Sequence, residues 1–343
     1  MNAALKLDLA NAEHRKGNLQ VAIGLCSEVL REEPQNFDAL IALGGFALEA
    51  GHAAESRRLL ELAACHRKED PAIWTKLGEG RLALGLASAA AYAFRRAAVI
   101  APGYPAAEEG YRRAVEAAGG LAELDYHPPP TSQVPGLASV YKAVFGYKTE
   151  GVFLEIGAFD GETHSNTSFL ADIGWTGFYV EPVLENAEAC RSRHQNNKVE
   201  VINVAIGPEA GTTRISLSGP LSTLAAHHAE AFNQVNKVIG AAEVHVGNYR
   251  DVPVVTPDTL LDRIAIADCD VFVLDVEGYE WPIVRTLDLA RFRPRIAIVE
   301  TRDRSPEFGK DIQAESEAVK AKFLRADYGI YWRDNLNIIF VSR

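Results

Sequence analysis

The sequence has few cysteines, no excess of positive charge and no long apolar run, and each shortage excludes a class of protein. Its four cysteines, Cys26, Cys65, Cys190 and Cys269, are scattered and form no Cys-x-x-Cys pair, so neither a disulfide framework nor a zinc site is predicted. No apolar stretch approaches the roughly 18–20 residues that a membrane-spanning helix needs. The net charge of -11 argues against nucleic acids and anionic membranes as partners, because phosphate binding requires a basic surface.

The N-terminus and the cysteine usage predict a cytoplasmic protein. Residues 1–8 lack the basic-then-apolar form of a secretory signal. The composition, with 48% hydrophobic and 24% charged residues, is typical of a globular protein. A chain of 343 residues is long enough for two domains, each with its own core.

Small residues recur every 34 residues in the first third of the chain, where Gly17, Gly51 and Gly85 stand at this step. The third unit shows the most complete pattern, formed by Trp74, Leu77, Gly78, Gly85, Ala90, Phe94, Ala97 and Pro102. This pattern resembles the tetratricopeptide repeat, in which two antiparallel helices pack through small residues. We therefore predict an all-α tetratricopeptide-like repeat domain over residues 1–126, with a capping helix at 105–118. Such repeats either stabilise or dimerise a protein, or they dock a protein partner, and the sequence does not separate these roles.

Three consecutive prolines at 128–130 end the helical region, because proline has no N–H and disfavours helix in the residue before it. We interpret residues 127–136 as a proline-rich linker. The second domain is then predicted to cover residues 137–343.

Strand and helix patterns alternate through this second domain. Short apolar runs predict five strands, at 152–156, 177–182, 199–205, 271–275 and 295–300. Helices are expected between them, including one at 162–173, and a closing antiparallel hairpin is expected at 328–341. The alternation indicates an α/β fold with a mainly parallel sheet covered on both faces. An antiparallel last strand on such a sheet is typical of methyltransferase-type sheets.

The turn after the first predicted strand is bracketed by Gly157 and Gly161, which allow the backbone to approach a ligand. Its spacing is not that of a dinucleotide fingerprint, which needs a third glycine. Asp160 within the turn would repel a pyrophosphate. A cationic ligand such as a sulfonium amino acid fits better, and Glu155 could receive its ammonium group.

Four of the first five predicted strands carry an acid in or just after their carboxyl end: Glu155, Glu181, Asp275 and Glu300. Ligands of parallel sheets bind at that edge, and carboxylates gathered there are costly unless they meet a ligand, a cation or a base. Glu181 is placed to accept hydrogen bonds from ribose hydroxyls. The alternative for Glu181 is a solvated acid at a strand end.

Several segments now resemble one family: residues 155–161 with 165–167, then 180–182, 203–206 and 275–280, the last reading Asp-Val-Glu-Gly-Tyr-Glu. Together they look like an FkbM-type methyltransferase over about residues 137–343. The resemblance implies a class I, Rossmann-like methyltransferase fold with S-adenosyl-L-methionine as donor. It also implies O-methylation of a hydroxyl on a sugar, a glycoconjugate or a polyketide-like product.

The resemblance also implies which residues surround the donor. Glu155, Gly157 and Gly161 would border its methionine portion, Glu181 would hold the ribose, and Ala205 would lie near the adenine. The complete implied set is Glu155, Gly157, Ala158, Phe159, Asp160, Gly161, Asn166, Thr167, Glu181, Pro182, Ala205 and Asp275.

A hydroxyl acceptor is a weak nucleophile, so a base near the cleft is expected. Asp275 and Glu277 are the leading candidates, and with Glu300 they could instead hold a divalent cation through oxygen ligands. Both options stay open, as does the alternative that Glu277 only caps a helix. The segment 221–252 is predicted to be a lid or an acceptor-binding insertion, and its His245 is a further candidate for the base.

Two function classes follow from these residues. The first is a methyltransferase acting on a hydroxylated small molecule or glycan, whose repeats dock a protein partner or a second copy. The second is a non-catalytic scaffold that binds the donor and uses the repeats for protein interaction. The acids at the strand ends favour the enzyme, and a nicotinamide oxidoreductase is a distant third.

Overall fold

The structure, a computed structural model, describes residues 1–239, 241–266, 268–302, 304 and 306–343. Internal contacts separate the chain into two compact units. The first comprises Met1–His127, Ala138–Lys148 and Asp172–Gly174, and the second comprises Pro128–Leu137, Thr149–Ala171 and Trp175–Arg343. No helix built from the described residues combines the length and the apolar character needed to cross a membrane. All four cysteines lie in the described ranges and are thiols rather than disulfides.

The first unit consists of helices, and those of the repeats follow one another at a regular step. They are α1 (Ala3–Arg15), α2 (Leu19–Glu32), α3 (Phe37–Glu49), α4 (Ala53–His66), α5 (Pro71–Ala83), α6 (Ala87–Ile100) and α7 (Pro105–Ala118), followed by α8 (Leu137–Phe145, whose first residue belongs to the second unit). Helices α1, α3, α5 and α7 begin 34 residues apart, and so do α2, α4 and α6. This confirms the predicted tetratricopeptide-like repeats and the predicted helix at Pro105–Ala118.

Glycines permit both the turns and the close helix packing of the repeats. Gly51 ends α3 with a φ of +80°, a conformation that L side chains rarely adopt. Gly44 and Gly78 instead face a neighbouring helix, where an added Cβ would lie 2.8 Å from Leu60 and 2.7 Å from Phe94. The small residues of the 34-residue pattern are therefore required by helix packing.

The second unit alternates strands and helices. Its strands are β1 (Val152–Ile156), β2 (Thr176–Val180), β3 (Val199–Ile202), β4 (Ala205–Ile206), β5 (Gly211–Ser216), β6 (Tyr249–Val255), β7 (Val271–Leu274), β8 (Ile296–Glu300), β9 (Tyr328–Arg333) and β10 (Asn337–Ser342). Its helices are α9 (Ser168–Asp172, whose last residue belongs to the first unit), α10 (Leu184–Arg193), α11 (Ala226–Ile239), α12 (Pro257–Ile264), α13 (Glu280–Val284) and α14 (Lys310–Arg325).

The main sheet has seven strands in the order β3-β2-β1-β7-β8-β10-β9. Strands β3, β2, β1, β7 and β8 pair in parallel, whereas β10 is antiparallel to both β8 and β9. The central strand β7 is buried along its whole length, as expected for a parallel strand covered on both faces. The predicted α/β fold with an antiparallel last strand is confirmed.

Two predicted elements differ from the structure. The predicted third strand at 199–205 is divided, because β3 ends at Ile202 and β4 joins a second, three-stranded sheet of order β4-β6-β5. The helix predicted at 162–173 is limited to α9, which begins at Ser168. Asp160 accepts hydrogen bonds from the Glu162 and Thr163 amides, and this local turn replaces the first helical turns.

Candidate functional site

The site lies at the carboxyl ends of the parallel strands, where the chain reverses its direction across the sheet. From β1 the chain proceeds outward to β2 and β3 and later returns to β7, which pairs with the other side of β1. The gap between β1 and β7 at that edge is where open α/β sheets bind their ligands. The turn after β1 and the segment after β7 form its walls.

The turn after β1 is held by its neighbours on both sides. The amides of Gly157 and Ala158 donate to the carbonyl of Val180 at 2.9 and 3.2 Å. Gly157 has a φ of +91°, and a Cβ there would lie 1.6 Å from the carbonyl oxygen of Asp275. Only glycine lets the ends of β1 and β7 approach so closely.

Glu181 follows β2 and is almost fully buried. One carboxylate oxygen accepts from the Phe159 amide at 3.0 Å, and the other accepts from the Val183 amide at 2.8 Å. Burial nevertheless raises the pKa of Glu181 to about 7, with these hydrogen bonds acting in the opposite direction. The structure therefore does not place Glu181 as a solvated surface acid. A ligand that donates hydrogen bonds to it would favour its charged form.

A cavity, which we call the Glu181 cavity, opens beside this acid, with an empty volume of about 540 Å³ that includes space open to solvent. Apolar and aromatic side chains form much of its wall. Among the lining residues are Ile156, Gly157, Phe159, Glu181, Pro182, Val204, Ala205, Ile206, Asp275, Glu277 and Tyr279.

A second cavity, the Glu300 cavity, has an empty volume of about 860 Å³ and a more charged wall. Among its lining residues are Gln133, Glu155, Gly157, Ala158, Phe159, His164, Asp275, Glu277, Glu300 and Arg302. The two cavities share walls at Gly157, Phe159, Pro220, Asp275 and Glu277. A ligand in one would therefore lie beside a ligand in the other.

Three carboxylates converge on the Glu300 cavity. Each of Asp275, Glu277 and Glu300 offers one oxygen, and these oxygens all lie within 4.8 Å of one another. The Arg302 guanidinium contacts Glu300 at 2.6 Å and Glu277 at 3.3 Å. Gln133 donates to Asp275 Oδ2 at 2.6 Å. One guanidinium thus faces three acids.

The charges of this cluster are costly to hold together. Burial raises the pKa of Glu277 to about 8, with repulsion from Asp275 as the next cause. The pKa of Glu300 is raised well above its usual value by burial and then by repulsion from Glu277 and Asp275. Burial also raises the pKa of Asp275. A cation or a proton in the cluster would relieve this repulsion.

The segment after β7 is shaped so that Glu277 points toward the cluster. Glu280 accepts from the Val276 and Gly278 amides at 3.0 and 3.1 Å, which folds the segment into a tight turn. Glu277 consequently has a φ of +54°, an unusual value for a residue other than glycine. The N-cap of α13 is Tyr279, so the alternative that Glu277 only caps this helix does not describe its contacts.

Glu155 lines the Glu300 cavity, but its oxygens are engaged by the loop at 165–167. Its carboxylate accepts hydrogen bonds from the hydroxyls of Ser165 and Thr167 and from the Asn166 amide. Burial raises its pKa to about 7 despite these donors. Glu155 therefore positions the loop and contributes a polar wall.

Four of the predicted donor residues line neither cavity, namely Asp160, Gly161, Asn166 and Thr167. Asp160 forms the turn described above, the Asn166 side chain donates to Gln133 Oε1 at 3.3 Å, and the Thr167 hydroxyl donates to Glu155. An added Cβ at Gly161 would lie 2.6 Å from the sulfur of Cys190, so this glycine permits packing against α10.

His245 is also separated from the acids. It lines another cavity and contacts the hydroxyls of Ser216 and Ser218, each at 3.0 Å. Burial lowers its pKa. The structure therefore does not bring His245 together with Asp275 and Glu277.

Sequence reasoning missed Gln133, Arg302 and Tyr279 as members of the cavity walls. Gln133 lies in the segment that we interpret as a linker, and no local pattern indicates a contact with Asp275. Arg302 carried a weak signal, since a cation two residues after a buried acid at a strand end is a natural partner for it. His164, with a φ of +62°, also reaches the Glu300 cavity.

Comparison with solved structures gives distant similarities. The first tetratricopeptide domain of human RPAP3 is 17% identical, with 34% of this chain and 92% of that chain covered and a TM-score of 0.33. The tetratricopeptide domain of Arabidopsis OM64 is 18% identical, with coverages of 33% and 94% and a TM-score of 0.32. A Thermobaculum terrenum O-GlcNAc transferase mutant is 15% identical, with coverages of 80% and 54% and a TM-score of 0.32. No curated protein matches the chain.

Family models give the closer assignment. A tetratricopeptide-repeat model matches residues 13–79. The model described as the methyltransferase FkbM domain matches residues 155–329, which is more than half of the chain and includes both glycines of the turn and all three acids of the cluster. The chain belongs to the FkbM methyltransferase family and carries tetratricopeptide repeats at its N-terminus.

Proposed function

We propose that the protein is an S-adenosyl-L-methionine-dependent O-methyltransferase acting on a hydroxyl of a sugar, a glycoconjugate or a polyketide-like product. The observation that supports this best is the pair of adjoining cavities at the carboxyl edge of β1 and β7. One has a largely apolar wall around the buried Glu181, and the other contains the cluster of Asp275, Glu277 and Glu300, of which Asp275 and Glu277 line both cavities.

The donor fits the Glu181 cavity by its chemistry. When bound, S-adenosyl-L-methionine supplies a methyl group on a positively charged sulfur. Glu181 would accept hydrogen bonds from the ribose hydroxyls, as acids at this position do in nucleotide-binding folds. Ala205, Ile206 and Tyr279 offer an apolar wall for the adenine. The acids at the junction of the cavities complement the positive charges of the donor.

The acceptor is assigned to the Glu300 cavity. Asp275 and Glu277 line both cavities, so a hydroxyl bound between them would lie beside the donor. Their carboxylates would hold the hydroxyl by hydrogen bonds and accept its proton. Orienting the hydroxyl in this way accounts for much of the rate enhancement available to such a site.

The repeats are proposed to serve a protein partner or a second copy of the chain, because such repeats form extended binding surfaces. Residues 1–126 would form this docking domain and 137–343 the methyltransferase domain, joined by the linker 127–136, whose Gln133 also lines the Glu300 cavity. We also retain the proposal of a cytoplasmic location, which agrees with four unpaired thiols.

The proposal is tested by measuring the melting temperature of the full chain with S-adenosylhomocysteine and, separately, with NAD. We expect S-adenosylhomocysteine to raise it by mass action and NAD to leave it unchanged. Transfer of labelled methyl groups to a panel of sugars and glycans then tests turnover. Binding without transfer to any acceptor would favour the donor-binding scaffold, and stabilisation by NAD alone would favour an oxidoreductase.

A further inference from the structure

We propose that Asp275, Glu277 and Glu300 form a binding site for one divalent cation that prefers oxygen ligands, such as Ca²⁺, Mn²⁺ or Mg²⁺. The inference rests on the proposed function only for the role of the cation, since the site itself is argued from geometry. It assigns the acidic cluster a ligand that lies in the Glu300 cavity.

The free oxygens of the cluster carry the argument. Glu300 is only 3% exposed, and its Oε2 has no hydrogen-bond partner among the described residues. Asp275 Oδ1 is likewise buried and receives no hydrogen bond from a donor in the described part of the chain, although Asp275 lies close enough to Glu300 to share a proton with it. A buried carboxylate oxygen without a partner is expensive, and natural structures normally satisfy it. A cation at this point would satisfy both oxygens together.

The other oxygens of the same carboxylates are held in place. Gln133 binds Asp275 Oδ2 at 2.6 Å, and Arg302 binds Glu300 Oε1 at 2.6 Å. Asp275 and Glu300 thus each have one anchored oxygen and one open oxygen. Metal ligands are commonly oriented by such hydrogen bonds from the next layer of residues. The arrangement is that of ligands set in position rather than of loose surface acids.

The spacing and the charge both suit a divalent ion. Two oxygens on opposite sides of Ca²⁺ lie about 4.6–5.2 Å apart, given bonds of about 2.3–2.6 Å. The three oxygens of the cluster all lie within 4.8 Å of one another, so one ion of this kind can bridge them, and the shorter bonds of Mg²⁺ would draw them closest. With all three acids deprotonated, Arg302 neutralises one of their charges, and a divalent ion would neutralise the other two.

Such an ion would act on the acceptor. It would lie in a wall of the Glu300 cavity and beside the shared wall with the Glu181 cavity. A hydroxyl bound to the cation would have a lower pKa and would be held in a fixed position. The carboxylates that the proposed function assigns to the hydroxyl would then act through the cation.

The test uses the full chain freed of metal by a chelator and titrated with Mn²⁺, with the free ion followed by electron paramagnetic resonance. We expect one Mn²⁺ per chain with a Kd of about 10⁻⁴ M or tighter, and competition by Ca²⁺. Glu300→Gln should weaken binding at least tenfold, because a charged ligand is lost. Glu188→Gln, at an exposed acid of α10, is the matched control and should bind like the parent chain.

Gln133→Ala keeps the test decisive if Glu300→Gln does not fold. It removes no ligand, yet it should weaken Mn²⁺ binding by about 10–100-fold, as substitutions of residues that hydrogen-bond to metal ligands do. Absence of Mn²⁺ binding at millimolar concentrations, or equal binding by the parent and both variants, overturns the inference.

Calorimetry with S-adenosylhomocysteine separates this inference from the proposed function. A chain that binds S-adenosylhomocysteine but no Mn²⁺ refutes the cation site alone. A chain that binds Mn²⁺ with the expected variant pattern but no S-adenosylhomocysteine refutes the donor assignment alone.

Discussion

Gln133 Nε2 lies 2.6 Å from Asp275 Oδ2, although 142 residues separate them in the chain. The same glutamine accepts from the Asn166 side-chain Nδ2 at 3.3 Å, and the Asn166 backbone amide donates to Glu155 at 3.4 Å. A chain of hydrogen bonds therefore runs from β1 through the loop at 165–167 to the end of β7. The segment before α8 is part of the wall that positions Asp275.

The first prediction concerns Asn166, which connects this series of hydrogen bonds to the backbone at Val134. Its Oδ1 accepts from the Val134 amide at 3.1 Å, and the residue is buried. Asn166→Ala leaves that buried amide without a partner, so we expect a loss of about 1–3 kcal/mol in the free energy of unfolding. Urea denaturation measures it. Asn196→Ala, at an exposed turn residue, is the control, and equal stability of both variants would contradict the role of Asn166.

The second prediction concerns the donor. Glu181→Gln removes the charge that would face the ribose hydroxyls, and a hydrogen bond to a charged group contributes about 1.5–3 kcal/mol. We expect S-adenosylhomocysteine to bind at least tenfold more weakly, as measured by calorimetry. Glu185→Gln, at an exposed acid of α10 paired with Arg250, should retain the parent affinity. Unchanged affinity of Glu181→Gln would remove Glu181 from the donor site.

The third prediction is a pH dependence of donor binding. Because burial raises the pKa of Glu181 to about 7, the free protein holds this acid protonated below that pH. Ribose hydroxyls favour the charged form, so the pKa falls on binding and affinity rises as the pH increases toward 7 and above. We expect about tenfold tighter binding of S-adenosylhomocysteine at pH 8 than at pH 6.

The control for this pH dependence is Glu181→Gln, because other titratable groups line the same cavity, namely Asp275, Glu277 and Tyr279. The part of the dependence that belongs to Glu181 is the part that the variant loses. If parent and variant show the same pH profile, the dependence arises from another group.

The sequence predicts those features that depend on local pattern. The 34-residue step fixes where α3, α5 and α7 begin, because each repeat must present small residues to its neighbour. The strand-end acids likewise follow from short apolar runs, and Asp275, Glu277 and Glu300 do converge. Parallel strands bring their carboxyl ends to one edge whatever the intervening sequence.

The features that the sequence did not predict depend on long-range contacts. The pairing of β6 with both β4 and β5 joins residues distant in the chain, and its strands are short. Gln133 belongs to a proline-rich segment, whose composition indicates a linker and not a cavity wall. The turn at 162–167 shows helical periodicity, but hydrogen bonds to Asp160 and Glu155 stabilise an irregular path instead.

The fourth prediction concerns turnover. Glu277 lines both cavities and has a left-handed backbone conformation that is fixed by Glu280. Glu277→Gln should still bind S-adenosylhomocysteine, yet methyl transfer should fall by about 10²-fold if a proton acceptor or cation ligand is lost. Glu317→Gln, at an exposed acid of α14, controls for the change of charge. Full activity of Glu277→Gln would mean that alignment alone supports the reaction.

The last prediction concerns the minimal part of the chain that binds the donor. Every described residue that lines the two cavities lies at or after Gln133, so a fragment without the repeats retains all proposed donor contacts. The point of truncation matters, because residues 138–148 belong to the first unit. There Tyr126 packs on Tyr141 and Tyr147, with ring centres 5.9 and 5.1 Å away, and its hydroxyl donates to the Gly146 carbonyl.

A fragment that begins at Leu121 keeps Tyr126, whereas one that begins at Thr131 loses it. Loss of a buried aromatic side chain typically costs about 3–5 kcal/mol, so the longer fragment should have the higher melting temperature. Calorimetry should show that both fragments, where folded, bind S-adenosylhomocysteine within about threefold of the intact chain, because a difference below about 1 kcal/mol reflects no lost contact. Self-association and binding of protein partners should be lost in both, because the docking surface is absent. If a fragment is folded by circular dichroism but does not bind S-adenosylhomocysteine, the repeats are required for the donor site, and their proposed role as a separate docking domain is wrong.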